Sequence, residues 1–365
     1  MKNTFGNNVS ITLFGESHGE MIGAVIDGLA PGIKVDEDFI RHQLSLRRPS
    51  GSISTARVEK DEFNIVSGVF EGYTTGAPVC ILIPNENTKS KDYSRTKDLA
   101  RPGHADYTAE CKYHGFQDYR GGGHFSGRLT APIVAAGAIA IDALKNKGIY
   151  IGTHLKSVAG VSDREFNERD LLGDIESLNE KLFAVLDENM GEEMQSKIKE
   201  AKSELDSVGG VLETVVLGLN AGVGEPWFDS IESLLSHAMF SIPAVKGVEF
   251  GDGFKLPLMR GSEANDEMRM ADGKTVTLTN HNGGINGGIS NGMPIVFRCA
   301  VKPTSSIYKE QNTVDFKKGE DATIALEGRH DPCIVHRARV VVDSMTALTL
   351  VDLLSTRYGT DWLVK

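Results

Sequence analysis

Tyr119-Arg120-Gly121-Gly122-Gly123-His124-Phe125-Ser126-Gly127-Arg128-Leu129-Thr130-Ala131-Pro132, continuing as Ile133-Val134-Ala135-Ala136-Gly137-Ala138-Ile139-Ala140-Ile141-Asp142-Ala143-Leu144-Lys145, is the stretch on which the fold turns. Pro132 suits the first turn of a helix, where its missing N–H costs nothing. Residues 133–144 are apolar on nearly every face, which predicts a helix buried all round. Ahead of it, three glycines can adopt φ > 0 and let backbone approach a ligand, while Arg120, His124, Ser126 and Arg128 crowd donors into the same loop. A helix N-terminus carries partial positive charge, so loop and helix together predict a phosphate or carboxylate site.

Outward from this helix, the pattern predicts strands at 9–14, 21–26, 62–70, 77–83, 149–155, 211–219 and 295–302. A helix starts near Asp36 and ends near Arg47-Arg48-Pro49, an amphipathic one covers 231–239, and a second apolar helix covers 340–354. Residues 163–206 read as two charged, solvent-facing helices without chemistry. The fold class expected is α+β, with apolar central helices among antiparallel sheets, and no linker marks a boundary, so residues 1–365 are expected to form a single domain.

The net charge of -11 argues against nucleic-acid or membrane partners, which need a basic surface. The arginines are nevertheless grouped: Arg41, Arg47, Arg48 and Arg57; Arg101, Arg120 and Arg128; Arg329, Arg337 and Arg339. Such grouping in an acidic chain points to a pocket for a small polyanion. Cys80, Cys111, Cys299 and Cys333 show no metal or redox spacing and read as thiols of a cytosolic protein. The longest apolar runs read as too short to cross a bilayer.

Two histidines sit in glycine-flanked turns, His18 within Gly15-Glu16-Ser17-His18-Gly19 and His104 within Arg101-Pro102-Gly103-His104-Ala105-Asp106-Tyr107. Either could exchange a proton near neutral pH, and Asp106 could orient His104. Residues 283–292 are rich in glycine, which suits a flat ligand against bare backbone, or a flexible loop. Lys302-Pro303-Thr304-Ser305-Ser306 is a hydroxyl-rich turn able to hold a phosphate, and Gly328-Arg329-His330-Asp331-Pro332 follows it. On these residues alone a flavin oxidoreductase or a phosphate-ligand-binding module remains open beside a lyase.

Taken in order, Gly15 to Gly19, Arg47-Arg48-Pro49, Arg101 to Tyr107, Tyr119 to Gly123, Lys302 to Ser306 and Gly328 to Pro332 strongly resemble the chorismate synthase family over nearly the whole chain. The resemblance implies anti-1,4-elimination of phosphate from 5-enolpyruvylshikimate 3-phosphate, requiring reduced FMN without net redox change. It implies catalytic roles for His18, His104 and Asp331, and substrate contacts from Ser17, Arg48, Arg101, Arg128 and Arg329. Flavin contacts are implied for His124, Phe125, Ser126, Pro243, Ala244, Gly287, Lys302, Pro303, Thr304, Ser305, Ser306 and Arg329. NADPH enters only if the enzyme reduces its own flavin, with Arg47 as its contact, and no metal is implied. A β/α/β sandwich, a homotetramer and a cytoplasmic location are also implied. The chain departs from the family pattern at His124-Phe125, at Ile53 where an arginine is common, and at Pro243 where an asparagine is common.

Overall fold

The computed structural model describes residues 2–49, 51–55, 59–86, 97–326, 328 and 330–364. β1 (Thr4–Phe5), β2 (Ser10–Gly15) and β3 (Met21–Asp27) run as an antiparallel meander. α1 (Glu37–Arg47) follows, and the Asp36 side chain accepts from the N–H groups of Asp38 and Phe39 to cap its start. β4 (Asn64–Ser67) ends at Gly68, so the strand expected over 62–70 is broken there. Gly68 has φ +82, and a Cβ on it would lie 2.6 Å from the Pro78 carbonyl oxygen. The short hairpin β5 (Val69–Phe70) and β6 (Tyr73–Thr74) leads to β7 (Val79–Pro84), which pairs with both β3 and β4. The first sheet is therefore antiparallel, in the order β1-β2-β3-β7-β4.

α2 (Asp106–Tyr113) precedes the glycine loop, and α3 (Thr130–Lys145) is the predicted apolar helix. β8 (Tyr150–Val158) and β9 (Val161–Ser162) lead to α4 (Leu171–Asn179) and α5 (Glu188–Ser203), the two helices expected in the charged stretch. These are not wholly solvated: Ile175, Leu178, Met194 and Ile198 are buried. β10 (Gly210–Leu217), α6 (Ile231–Ser241) and β11 (Val245–Phe250) come next, then the single turn α7 (Gly261–Ala264). Hairpins β12 (Met268–Ala271) with β13 (Lys274–Thr277), and β14 (Ile285–Asn286) with β15 (Ile289–Ser290), precede β16 (Ile295–Val301). A last hairpin, β17 (Gln311–Asp315) and β18 (Glu320–Ile324), leads to α8 (Val335–Tyr358). The second sheet, also antiparallel, has the order β11-β16-β10-β8-β9.

α3 packs on β3 and β7 of the first sheet, α8 packs on β8 and β10 of the second, and the two helices pack on each other. The layers are thus sheet, helices, sheet, as expected. Gly137 permits the close helix crossing, since a Cβ there would stand 2.2 Å from that of Ser344. α8 buries Ser344, Thr346 and Thr349 by returning each hydroxyl to the carbonyl four residues earlier, at 2.6–2.7 Å. Counted from Gly127, the helical stretch through Lys145 is long and apolar enough to cross a bilayer, contrary to the reading of its apolar run. It is 78% buried inside the fold, as a core helix is.

The glycines at 283–292 need correction. A Cβ at Gly283, Gly284 or Gly288 would lie 2.5 Å from backbone of Gly251, Pro294 or Glu225 respectively, so these glycines serve the chain's own close packing rather than a ligand. Only Gly287 and Gly292 in that stretch have room.

Candidate active site

The turn after β2 is set by Gly15, whose φ is +95 and whose Cβ, were it present, would meet the Met21 carbonyl oxygen at 2.4 Å. Asn85 Nδ2 holds the turn by donating to the carbonyls of Glu16 and Gly19, both at 3.0 Å. The glycine loop docks onto it. Ser17 N–H donates to Gly123 O at 3.1 Å, and Ser17 Oγ donates to Arg120 O at 3.2 Å. His18 Nδ1 lies 3.2 Å from that same Oγ. With its single proton given to Arg120 O, Ser17 Oγ is left to accept from His18 Nδ1–H.

Gly121, Gly122 and Gly123 have φ of +61, +93 and +53, a run that side chains rarely tolerate. At Gly121 and Gly123 the lack of a Cβ is also spatially necessary, the latter because one would meet the Asp118 carbonyl oxygen at 2.0 Å, whereas at Gly122 it would make ordinary contact. A Cβ on Gly121 would lie 2.0 Å from His18 Cε1, and one on Gly122 would stand 3.5 Å from His104 Cε1 and Nε2. Two histidines far apart in sequence thus face consecutive glycines of one loop.

His104 Nδ1 lies 3.0 Å from Asp106 Oδ1, and Arg101 grips Asp106 with Nε at 2.8 Å and a terminal nitrogen at 2.7 Å. Burial works to raise the Asp106 pKa, but hydrogen bonds from Arg101 and His104 outweigh it and hold the carboxyl well below the usual range. The same loop meets the hydroxyl-rich turn: Lys302 Nζ donates to Gly103 O at 2.6 Å and to Ser305 Oγ at 2.7 Å. Burial and the nearby Lys246 push the Lys302 pKa down. Lys302 N–H donates to Ala244 O at 2.9 Å, which brings Pro243-Ala244 beside the turn. Among the described residues Thr304 Oγ1 is buried with no hydrogen-bond partner, a group with capacity for one.

The arginines expected at a polyanion are held by the chain's own carboxylates. Arg47 is 3% exposed and pairs with Glu59 at 2.5 Å and Asp61 at 2.8 Å. Arg128 pairs with Asp61 and also donates to Asn85 Oδ1 at 3.1 Å. Arg48, about a third exposed, has Nε 4.0 Å from Asp61. Asp331 accepts from Thr55 N–H at 2.8 Å and from Arg337 at 2.5 Å, and Arg337 Nε donates to Arg47 O at 2.8 Å. Burial raises Asp61 and Glu59, but in each case the surrounding guanidinium groups win and lower the pKa. The acidic groups that reach the start of α3 through Arg47 and Arg128 are the protein's own.

Several expectations fall elsewhere. Arg47, expected at a nicotinamide, is buried with its guanidinium in ion pairs to Glu59 and Asp61. His124 Nδ1 donates to Gly15 O at 2.8 Å, and Ser126 Oγ accepts from Arg128 N–H at 3.3 Å, so both shape the loop; Phe125 is 39% exposed and meets Tyr113 edge-on. Ile53 is buried in a cavity wall with Leu46, Phe183 and His336. Gly287 has open space around it; its neighbour Gly288 packs on Ser230 at the start of α6, whereas Pro243-Ala244 follows the end of that helix, which is about 16 Å long at 1.5 Å per residue. Arg329 and Arg57 lie outside the described residues. The sequence reading missed Glu59 and Asp61, whose local signal is the acidic pair in Glu59-Lys60-Asp61 ahead of β4, and it grouped Arg337 with the other arginines without giving it a partner.

The sequence profile of the family described as chorismate synthase matches residues 9–355. Chorismate synthase of Pyrococcus abyssi is 47% identical over 352 residues, covering 96% of this chain and 97% of its own. That of Thermococcus kodakarensis is 44% identical over 360 residues, covering 99% of each. A crystal structure of chorismate synthase superposes with a TM-score of 0.76 at 30% identity, covering 97% of this chain and 94% of that one.

Proposed function

We infer, from the premise that the chain belongs to the chorismate synthase family, how its own residues serve that family's reaction. The protein is a lyase that removes phosphate from 5-enolpyruvylshikimate 3-phosphate to give chorismate, the last step of the shikimate pathway. In the elimination a ring C–H bond and the C–O bond to phosphate break, a second ring double bond forms, and a proton and inorganic phosphate leave.

The observation that carries the assignment of residues is the pair of histidines against Gly121 and Gly122, beside a lysine- and hydroxyl-lined turn. His18, held at Nδ1 by Ser17, gives a proton from Nε2 to the departing phosphate. His104, held by Asp106, keeps its Nε2 turned toward the glycine loop, where reduced flavin binds. Lys302, Ser305 and the unpartnered Thr304 hydroxyl fit the flavin phosphate, with Pro303, Ser306, Pro243 and Ala244 alongside and Arg329 and Gly287 as further contacts. Reduced FMN, when bound, supplies an electron-rich ring at the reacting carbon atoms and is unchanged overall. Arg48, Arg101 and Arg128 hold the substrate anions, and Asp331 takes the ring proton while Thr55 N–H and Arg337 orient it.

We further propose that the chain acts as one folding unit, works in the cytoplasm and assembles as a homotetramer. The four unpaired thiols support the location, and the exposed side chains of Trp227, Phe228, Phe254 and Leu258 support assembly between copies. NADPH serves only if the protein reduces its own flavin, and the burial of Arg47 argues against that side chain as its anchor.

Anaerobic single turnover with photoreduced FMN, with and without NADPH, tests the reading. Wild type yields phosphate and chorismate with reduced but not oxidised FMN. His18→Ala slows the step by roughly 10²–10⁴-fold, the usual contribution of a general acid. Full-rate phosphate release by His18→Ala removes it as the acid.

A further inference from the structure

Glu59 and Asp61 have no role in the reading above, yet four guanidinium groups converge on them. Asp61 meets Arg128 through Oδ1 and Arg47 through Oδ2 at 2.8 Å, with Arg48 Nε 4.0 Å from Oδ2. Glu59 Oε2 lies 2.5 Å from Arg47, 3.6 Å from Arg337 and 3.7 Å from Arg128. The Asp61 side chain has no solvent exposure. Its backbone has φ +52, a left-handed conformation in a residue that is not glycine. Strain of this kind persists only where surroundings over-determine it, and it gathers at functional sites.

Stability alone gives a weak account of this arrangement. Burying paired charges rarely gains free energy over an apolar core, because desolvation offsets the attraction. What the pair does provide is geometry. Arg128 comes from the glycine loop, Arg47 and Arg48 from the end of α1, and Arg337 from the first turn of α8. The packing of α1 on α3 and α8 brings the ends of these elements near one another, and the two carboxylates bridge the guanidinium groups gathered there.

We propose that Asp61, seconded by Glu59, is a positioning residue that fixes the substrate arginines Arg48 and Arg128 relative to one another and, through Arg337, relative to Asp331. This rests on the reading of Arg48 and Arg128 as substrate contacts. Asp61 also neutralises part of their charge while the site awaits its anion, so substrate meets preset donors instead of two mutually repelling cations.

The test is Asp61→Asn, because asparagine tolerates the left-handed backbone and nearly matches the shape while removing the charge. Loss of a negative charge leaves the site more cationic, so inorganic phosphate measured by titration calorimetry binds as tightly as to wild type or tighter. Turnover falls in the opposite direction, with kcat down by roughly 10²-fold, as misplacement of reacting groups by about 1 Å produces. A kcat within about 3-fold of wild type in the folded variant overturns the proposal. So does a parallel loss of phosphate binding and thermal stability, the signature of a merely structural residue. If Asp61→Asn does not fold, Glu59→Gln carries the same test with the same split between phosphate affinity and kcat. Arg48→Ala and Arg128→Ala are run beside them. Unimpaired arginine variants refute the substrate reading itself, whereas impaired arginine variants with an unimpaired Asp61→Asn refute only the positioning role.

Discussion

Two buried charge networks in this molecule look alike in composition and differ in how they are built. One is the loop network of Glu59, Asp61 and Asp331 with Arg47, Arg128 and Arg337. The other crosses the second sheet, where Asp163, His154, Glu213, Arg298 and Glu249 alternate in sign. Sheet register fixes the second one: His154 on β8 stands opposite Glu213 on β10, which stands opposite Arg298 on β16, which stands opposite Glu249 on β11. The contacts follow at 3.1, 2.7 and 2.7 Å. Opposite charges on facing residues are a common way for antiparallel strands to agree on register. The loop network has no such register behind it; its carboxylates come from irregular segments, its guanidinium groups from the end of α1, the glycine loop and the first turn of α8, and Asp61 has a left-handed backbone. The difference separates charges that serve the sheet from charges that serve the site.

The largest expected effect falls on the loop network. Arg128→Ala leaves Asp61 without one of its cations and removes a donor to substrate, at a cost on the order of 2–5 kcal/mol in transition-state binding. Steady-state kinetics on correctly folded protein give this as a loss in kcat/KM, and Arg128→Lys does not restore it, because an ammonium cannot reproduce the fork that reaches Asp61 and Asn85 together. Wild-type kcat/KM in Arg128→Ala erases the distinction drawn between the networks.

Next comes the ladder, with the opposite signature. Burial works against the Glu213 charge, yet bonds and charges from His154, Lys156 and Arg298 bring its pKa down to about 2. Glu213→Gln removes a buried carboxylate from between His154 and the partly buried Arg298, a change expected to cost about 3 kcal/mol of stability. Denaturant melts measure it, while kcat at a temperature where the variant is folded stays at the wild-type value. A kcat loss at full stability would give the ladder a functional role after all.

The contrast also explains what the sequence could disclose. α3 and α8 were legible because a helix apolar on every face has one destination, and the turns that hold His18 and His104 were legible from their glycines, whereas the roles of the two histidines rested on the resemblance. Asp61 was not, because Glu59-Lys60-Asp61 reads as a solvated lead into a strand, and burial arises only when Arg47 and Arg128, 14 and 67 positions away, close over it. The glycines of 283–292 misled for a related reason: bare backbone can receive a ligand or a neighbouring backbone, and only packing separates the two. On β8, His154 alternates with neighbours as any strand residue does, and nothing local says that its partners are acids on other elements.

The smallest effect sharpens the comparison through pH. His154 is fully buried, with Nδ1 2.7 Å from Asp163 and Nε2 3.1 Å from Glu213. Burial lowers its pKa, but the two carboxylates outweigh this and raise it above the ordinary value. Because the folded-state pKa is the higher one, the stabilisation from the imidazolium is fully present below the unfolded value of about 6.5 and is lost as pH rises through the folded value. Lys156 and Glu165 flank the ladder and Arg298 and Glu249 continue it, while Asp163 and Glu213, both depressed, change stability only at acid pH. His154→Gln keeps a hydrogen-bonding side chain without a titrating proton. The gap in melting temperature between wild type and His154→Gln should therefore be widest below about pH 6.5 and narrow above it. Asp163 also accepts from the N–H groups of Leu186 and Asp187, so protection of those amides in hydrogen exchange should decline over the same interval. A gap that stays constant, or widens with rising pH, means that His154 is neutral in the native protein and that the ladder holds its register without a charge on β8.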